Sequence, residues 1–221
     1  MTDKTKSKNA FTLAEVLITL VIIGVVAALT ISAVINTYVE RSTISKVKKG
    51  LSTIAQAKKL AETQHGPIEG WDFGGWSEES EKKFFSYLKP YIVVIKDCGT
   101  RDESCYQSDG VYYLNGTIGN YNYNSNNLYY KFVLSDGGVM IFAVYPGKCV
   151  TSEDDKNNVC ATFVYDVNGV KSPNTYGHDI FAYTFTPDGV FPNLQNDCNK
   201  NGIGRGCSNY IIKNDNMNYL H

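Results

Sequence analysis

No proline precedes Pro67, and no cysteine precedes Cys98. From Val16 to Ile35 no residue carries a charge, and between Phe11 and Ile35 the one ionisable side chain is Glu15. Histidine occurs only at positions 65, 178 and 221. The chain has no Walker loop, no HExxH and no G-x-S-x-G, so the common signatures of nucleotide, zinc-peptidase and serine-hydrolase chemistry are missing. His178 beside Asp179 reads as a loop dipeptide rather than a catalytic pair, and the chain is not expected to be an enzyme. No two cysteines form a CxxC pair, which argues against zinc or thioredoxin-like chemistry. The net charge of -1 over 221 residues offers no broad basic footprint, so no nucleic-acid partner is expected.

The missing prolines permit one helix from about Phe11 to His65, with Gly66-Pro67 as its stop. Its two halves differ. Val16 to Ile35 is an apolar run which, at ~1.5 Å per residue, is ~30 Å long and can cross a bilayer core. Beyond it, Ile44, Val47, Leu51, Ile54 and Ala61 follow three- and four-residue spacing, with Ala57 or Lys58 between the last two. That is an amphipathic stripe in need of a partner surface. The expected organisation is a basic leader at 1–10, a transmembrane helix at 11–35, its amphipathic continuation at 36–66 and a globular part at 67–221.

A cleavable secretory signal would need a small-x-small site after the apolar run, and none is convincing. A plain signal anchor would explain the run but not the acid at its fifth position. A carboxylate in a membrane span costs up to ~3 kcal/mol at mid-helix and less near the end, where Glu15 lies. The segment Lys8-Asn9-Ala10-Phe11-Thr12-Leu13-Ala14-Glu15-Val16-Leu17, preceded by Lys4 and Lys6, resembles the processing and methylation site of type IV prepilins and type II secretion pseudopilins. Leader charge, Phe-Thr-Leu, the spacing of the acid and the apolar run all agree over about residues 1–40. Ala10 stands where the family most often has Gly, and the frequent proline of the apolar helix is absent.

The resemblance implies cleavage between Ala10 and Phe11 by prepilin peptidase, N-methylation of Phe11, and retention of the anchor. It also implies a structural role in a type IV pilus or a secretion pseudopilus, or in DNA uptake. Implied partners are further pilin-like subunits, the peptidase/methyltransferase, the inner-membrane assembly platform and membrane lipid. Glu15 would then meet the new α-amine of a neighbouring subunit. At ~4 Å and an effective dielectric near 20 that attraction is about 4 kcal/mol before desolvation, and its larger use is axial register. The basic residues around the span do not decide orientation, because 41, 46, 48 and 49 follow it against three before it. The cysteines and the resemblance place the N-terminus in the cytoplasm and the C-terminal part outside. A non-assembling, signal-anchored extracytoplasmic binding protein is the alternative.

Six cysteines downstream of a membrane segment read as disulfides in an oxidising compartment. Sequential pairing, Cys98–Cys105, Cys149–Cys160 and Cys198–Cys207, closes a short loop each time. Ser77 reads as the N-cap of a short helix through Leu88, closed by Pro90. Leu128–Leu134 and Val139–Tyr145 flank Ser135-Asp136-Gly137-Gly138, a hairpin signal; Cys160–Asp166 is a further strand, and Ile180–Thr186 turns through Pro187-Asp188-Gly189 into a last one. The expected class is α+β, a long helix on an antiparallel sheet, which also resembles the pilin fold. Val111–Tyr130 holds six Tyr and six Asn and reads as a solvated loop or as a contact patch for glycans or single strands. Asp166, Asn168 and Asp179 border an oxygen-rich glycine turn. It lacks EF-hand spacing and reads as an Asx-turn network or as a calcium site, calcium being the only cofactor suggested.

Overall fold

The computed structural model describes residues 11–106, 110–123, 127–145, 149 and 158–221. The chain divides into two compact units at Arg41/Ser42. Helix α1 (Leu13–His65) begins in the first and ends in the second. In the first unit, the described side chains from Phe11 to Ile35 are exposed, apart from the half-exposed Ala27. It is the only described helix long and apolar enough to cross a membrane.

In the second unit the stripe on α1 meets a sheet. Val47, Ile54, Ala57 and Ala61 are fully buried, with Ile44 and Leu51 packed beside them. Both candidates for the gap in the stripe are buried. Ala57 packs in the core, and Lys58 extends its ammonium to Glu62 Oε1 (2.6 Å) and to the Pro187 carbonyl (2.9 Å). The helix stops where Gly66 takes φ +80° and its N–H donates to the Glu62 carbonyl. That left-handed C-terminal residue is inexpensive only for glycine.

Six strands follow one another in a simple antiparallel meander: β1 (Val94–Gly99), β2 (Tyr130–Leu134), β3 (Val139–Val144), β4 (Ala161–Asp166), β5 (Ile180–Thr186) and β6 (Gly189–Pro192). Each of the last five was legible as an alternating or apolar run ended by turn residues. Strand β1 was not. It is a bulged edge strand, and its β-branched signal, Ile92-Val93-Val94-Ile95, straddles the strand's start and gives way to Lys96-Asp97. The short α3 (Cys207–Asn214) was also unforeseen. Helix α2 (Glu78–Leu88) starts as expected, with the Ser77 hydroxyl accepting from Ser80 N–H. The three sequential cysteine pairs are bonded. Closing loops this short contributes about 2–3 kcal/mol each through the unfolded chain.

Strand alternation sends two sets of side chains to opposite faces. Phe132, Met140, Phe142, Phe163, Tyr183 and Phe185 face α1 and α2. Phe85 stacks on Phe132 at 4.5 Å, and Phe84 meets Phe185 edge-on at 5.4 Å. Val139, Ile141, Val164, Ile180 and Ala182 face the other way, and they are buried as well. Their cover is the tyrosine-rich segment: Tyr106, Val111 and Tyr123 are buried against them with Tyr176. The described part of Val111–Tyr130 is therefore only partly a solvated loop: its described asparagines are exposed, whereas Val111, Tyr123 and Tyr130 are buried. Its phenol rings supply the apolar area and their hydroxyls find partners, as in the contact between the Tyr123 and Tyr176 hydroxyls. Lys131, also fully buried, reaches the Tyr123 carbonyl at 3.1 Å.

The closest helix–sheet approach is at Gly50, where an added Cβ would lie 2.7 Å from the buried Tyr165 ring. The Tyr165 hydroxyl is held by Asp136 Oδ2 at 3.0 Å, so the ring cannot easily retreat. Overpacking of this kind costs ~1–3 kcal/mol, against ~1 kcal/mol of helix propensity gained. Gly50→Ala is expected to lower the melting temperature in a thermal scan; a rise would show that the helix can shift outward.

Glu81 on α2 is fully buried. Its Oε1 accepts from Val144 N–H at 2.7 Å, and Oε2 has no hydrogen-bond partner. Burial pushes its carboxyl up to about 8. The folded state therefore keeps a proton that the unfolded chain has released above its ordinary range. Stability from this group is complete at low pH and is lost as pH rises towards 8. Glu81→Gln keeps the acceptor and removes the charge. It should stabilise the protein by about 2–4 kcal/mol at pH 8 and leave it little changed at pH 4, measured by urea unfolding at both values.

Candidate functional site

Two constellations carry the chemistry expected from the sequence. The first is the start of α1. Ala10 lies outside the described residues, so the peptide bond expected to be cut is not part of this description. Phe11 is exposed at 85 %. Thr12 and Glu15 form a reciprocal cap: the Thr12 Oγ1 accepts from Glu15 N–H (3.3 Å), and Glu15 Oε2 accepts from Thr12 N–H (2.8 Å) and Oγ1–H (2.9 Å). This is a capping box, in which two otherwise orphaned helix-end donors are satisfied together. The Thr-x-x-Glu spacing before an apolar run carries that signal in the sequence. Glu15 thus has a local role in starting the helix, besides any role between subunits. A carboxylate there also faces the positive end of the helix dipole.

The second constellation lies at the far end of β4. The structure brings Asp166, Asn168 and Asp179 together. Asp166 Oδ1 accepts from Asn168 N–H at 3.2 Å, the hydrogen bond of an Asx turn. Asn168 Nδ2 donates to Asp179 Oδ2 at 3.1 Å. Asp179 also accepts from Asn174 N–H (2.9 Å) and Thr175 N–H (2.6 Å). No hydrogen bond joins it to His178 among the described residues. The peptide bond Ser172–Pro173 within this turn is cis.

The turn is unusually rich in buried oxygen. Asp166 is fully buried and Asp179 nearly so, and neither carboxylate has an ion-pair partner among the described residues. Burial and the neighbouring Asp179 charge push the Asp166 carboxyl well above the usual range. Backbone N–H groups and the Tyr106 phenol pull the other way without cancelling this. Burial likewise raises Asp179. Three buried oxygens, Asp166 Oδ2, Asn168 Oδ1 and Asn174 Oδ1, lack a hydrogen bond of normal geometry. Asn174 belongs to the same oxygen-rich stretch of sequence. Among the described residues no group of three or more His, Cys, Asp or Glu could hold a metal, so a cation here would rely on two carboxylates plus amide oxygens.

Fold and site together define a helix-on-sheet protein with a long, exposed, apolar N-terminal helix segment. Residues 5–31 match the prokaryotic N-terminal methylation motif, the signature of pilins and pseudopilins. With the apolar helix, the motif supports a membrane-anchored, type IV pilin-like chain with a structural rather than an enzymatic character. No curated protein matches the chain, and no solved structure matches it.

Proposed function

We propose that the chain is a subunit of a type IV pilus or a type II secretion pseudopilus. Prepilin peptidase cuts between Ala10 and Phe11, and Phe11 becomes the N-methylated first residue. The apolar half of α1 then holds the subunit in the cytoplasmic membrane as a single span, with the sheet-bearing unit outside, until α1 enters a bundle of like helices on the assembly platform. One observation carries this reading. The methylation motif at 5–31 overlaps a helix segment whose described apolar side chains between Phe11 and Ile35, Ala27 apart, are exposed. Lipid covers such a surface before assembly, and neighbouring subunits cover it afterwards.

Glu15 connects the two states. In the single chain its carboxylate caps its own helix through Thr12. In a bundle the α-amine created at Phe11 gives a neighbour's Glu15 a cationic partner, and a subunit out of register leaves a charge unpaired. Glu15→Ala should leave the protein in the membrane fraction and abolish its recovery in sheared filaments, whereas Glu15→Asp should restore some assembly. Wild-type filament yield from Glu15→Ala would remove the assembly role. Intact-mass spectrometry separates this reading from a non-assembling anchored protein: a methylated Phe11 terminus supports the subunit, and an intact leader from Met1 supports the alternative.

The same proposal includes calcium at the Asp166–Asp179 turn. The amide oxygens of Asn168 and Asn174, without hydrogen-bond partners among the described residues, and the two carboxylates fit a hard cation, which would let both carboxylates remain ionised. Calcium a hundredfold above its Kd is then expected to raise the melting temperature by about 5–10 °C over a chelator control, and Asp166→Asn should remove most of the difference. A melting temperature indifferent to calcium would leave the turn as a hydrogen-bonded Asx network alone.

A further inference from the structure

The described residues do not completely cover the outer face of the sheet. Beside the buried tyrosine cluster a cavity of about 350 Å³ opens over β3 and β4, walled by Trp76, Tyr121, Tyr129 and Tyr145. Arg205 lines it too, with its guanidinium carbon 5.5 Å from the Tyr121 ring centroid. Tyr121 in turn stacks on Tyr123 at 5.5 Å and nearly parallel, and Trp76 tilts against Tyr145 at 6.2 Å. The wall is therefore several aromatic faces around one cation.

Arg205 is held for this position by its backbone. Its loop is closed by Cys198–Cys207, and Asp197 accepts from the N–H groups of Arg205 (3.2 Å) and Gly206 (2.6 Å). The nearest carboxylate in sequence is thus committed to the main chain. Among the described residues the guanidinium makes no salt bridge, and its Nε is buried without a hydrogen-bond partner. Arg205 lines the cavity without a carboxylate partner among the described residues, and an anionic ligand would supply one to the guanidinium.

We propose that this cavity binds a carboxylated sugar ring, with the carboxylate on Arg205 and the ring face on the aromatic wall. The aromatic planes suit the flat C–H face of a pyranose, while the phenol hydroxyls of Tyr129 and Tyr145 and the hydroxyl of Thr162 supply polar partners for its hydroxyl groups. The volume lies at the low end of the ~300–1,000 Å³ range of small-ligand sites, enough for a ring or two. A nucleic-acid strand fits poorly, because it needs a track of cations for successive phosphates and the described lining holds one. The site does not depend on pilus assembly.

The test uses the full chain in detergent micelles, with saturation-transfer NMR and calorimetry. The probes are digalacturonic acid, glucuronic acid, N-acetylneuraminic acid, neutral galactobiose and an oligothymidylate. At least one acidic sugar should bind, about tenfold or more tighter than galactobiose, and Arg205→Gln should weaken it by about tenfold or more. Trp76 is 60 % exposed, so Trp76→Ala should keep the fold and still weaken binding several-fold. Failure of all three acidic sugars, equal affinity for galactobiose, indifference to both substitutions, or Arg205-dependent binding of the oligothymidylate alone would overturn the proposal.

Discussion

The structure of the second unit depends on the burial of one helix face on one sheet face. Val47, Ile54, Ala57 and Ala61 would leave an apolar stripe in water without the sheet, and the sheet face around Phe163 and Tyr183 would lose its cover without the helix. Burying large side chains of this kind contributes ~1.5–3 kcal/mol each, more than any surface ion pair here can. Two details pin the register of the contact. Gly50 admits the Tyr165 ring, and the Tyr183 hydroxyl donates to the Val47 carbonyl across the interface at 3.0 Å. Asp136 in the β2–β3 turn then ties Tyr165 and Lys49 to one point.

That contact leaves the sheet's other face to be covered, and the chain uses tyrosine where a larger protein would use a second layer of helices. Tyrosine brings a large apolar ring and a hydroxyl that can reach a partner, so it can close a face and remain soluble at its edge. The cover is dense over Val139, Ile180 and Ala182 and open beside Arg205. Polar groups without partners concentrate around this face, at Arg205 and in the Asp166–Asp179 turn. Buried polar groups in this condition call for an explanation, which a proton supplies at Glu81 and which a bound ion or ligand would supply on this face.

The two ends of α1 illustrate how a single helix serves two solvents. Up to Ile35 its surface suits lipid or other helices, and from Ser42 its stripe belongs to the core of the second unit. The same backbone hydrogen bonding satisfies both settings, because a helix meets its own polar groups internally. Thr12 and Glu15 complete this at the start of the helix. The methylation motif therefore includes a helix cap as well as the residues expected to act between subunits.

Local patterns in the chain were enough to place the apolar span, the Gly66 stop, the Ser77 cap, five strands and the three cysteine pairs. Each is encoded by neighbours within a few residues, through period, turn chemistry or short loop closure. The amphipathic stripe also announced that α1 needs a partner surface, though not that Lys58 would be buried in it. Tertiary contact alone decided the rest. Strand β1 shows a β-branched run at residues 92–95, but where it pairs and where its bulges fall are set by β2. The polar composition of Val111–Tyr130 suggested solvent, and only the uncovered sheet face made its rings buried. Arg205 acquires meaning from residues distant along the chain. Burial depends on which surface a segment meets, and that partner cannot be read from the segment itself.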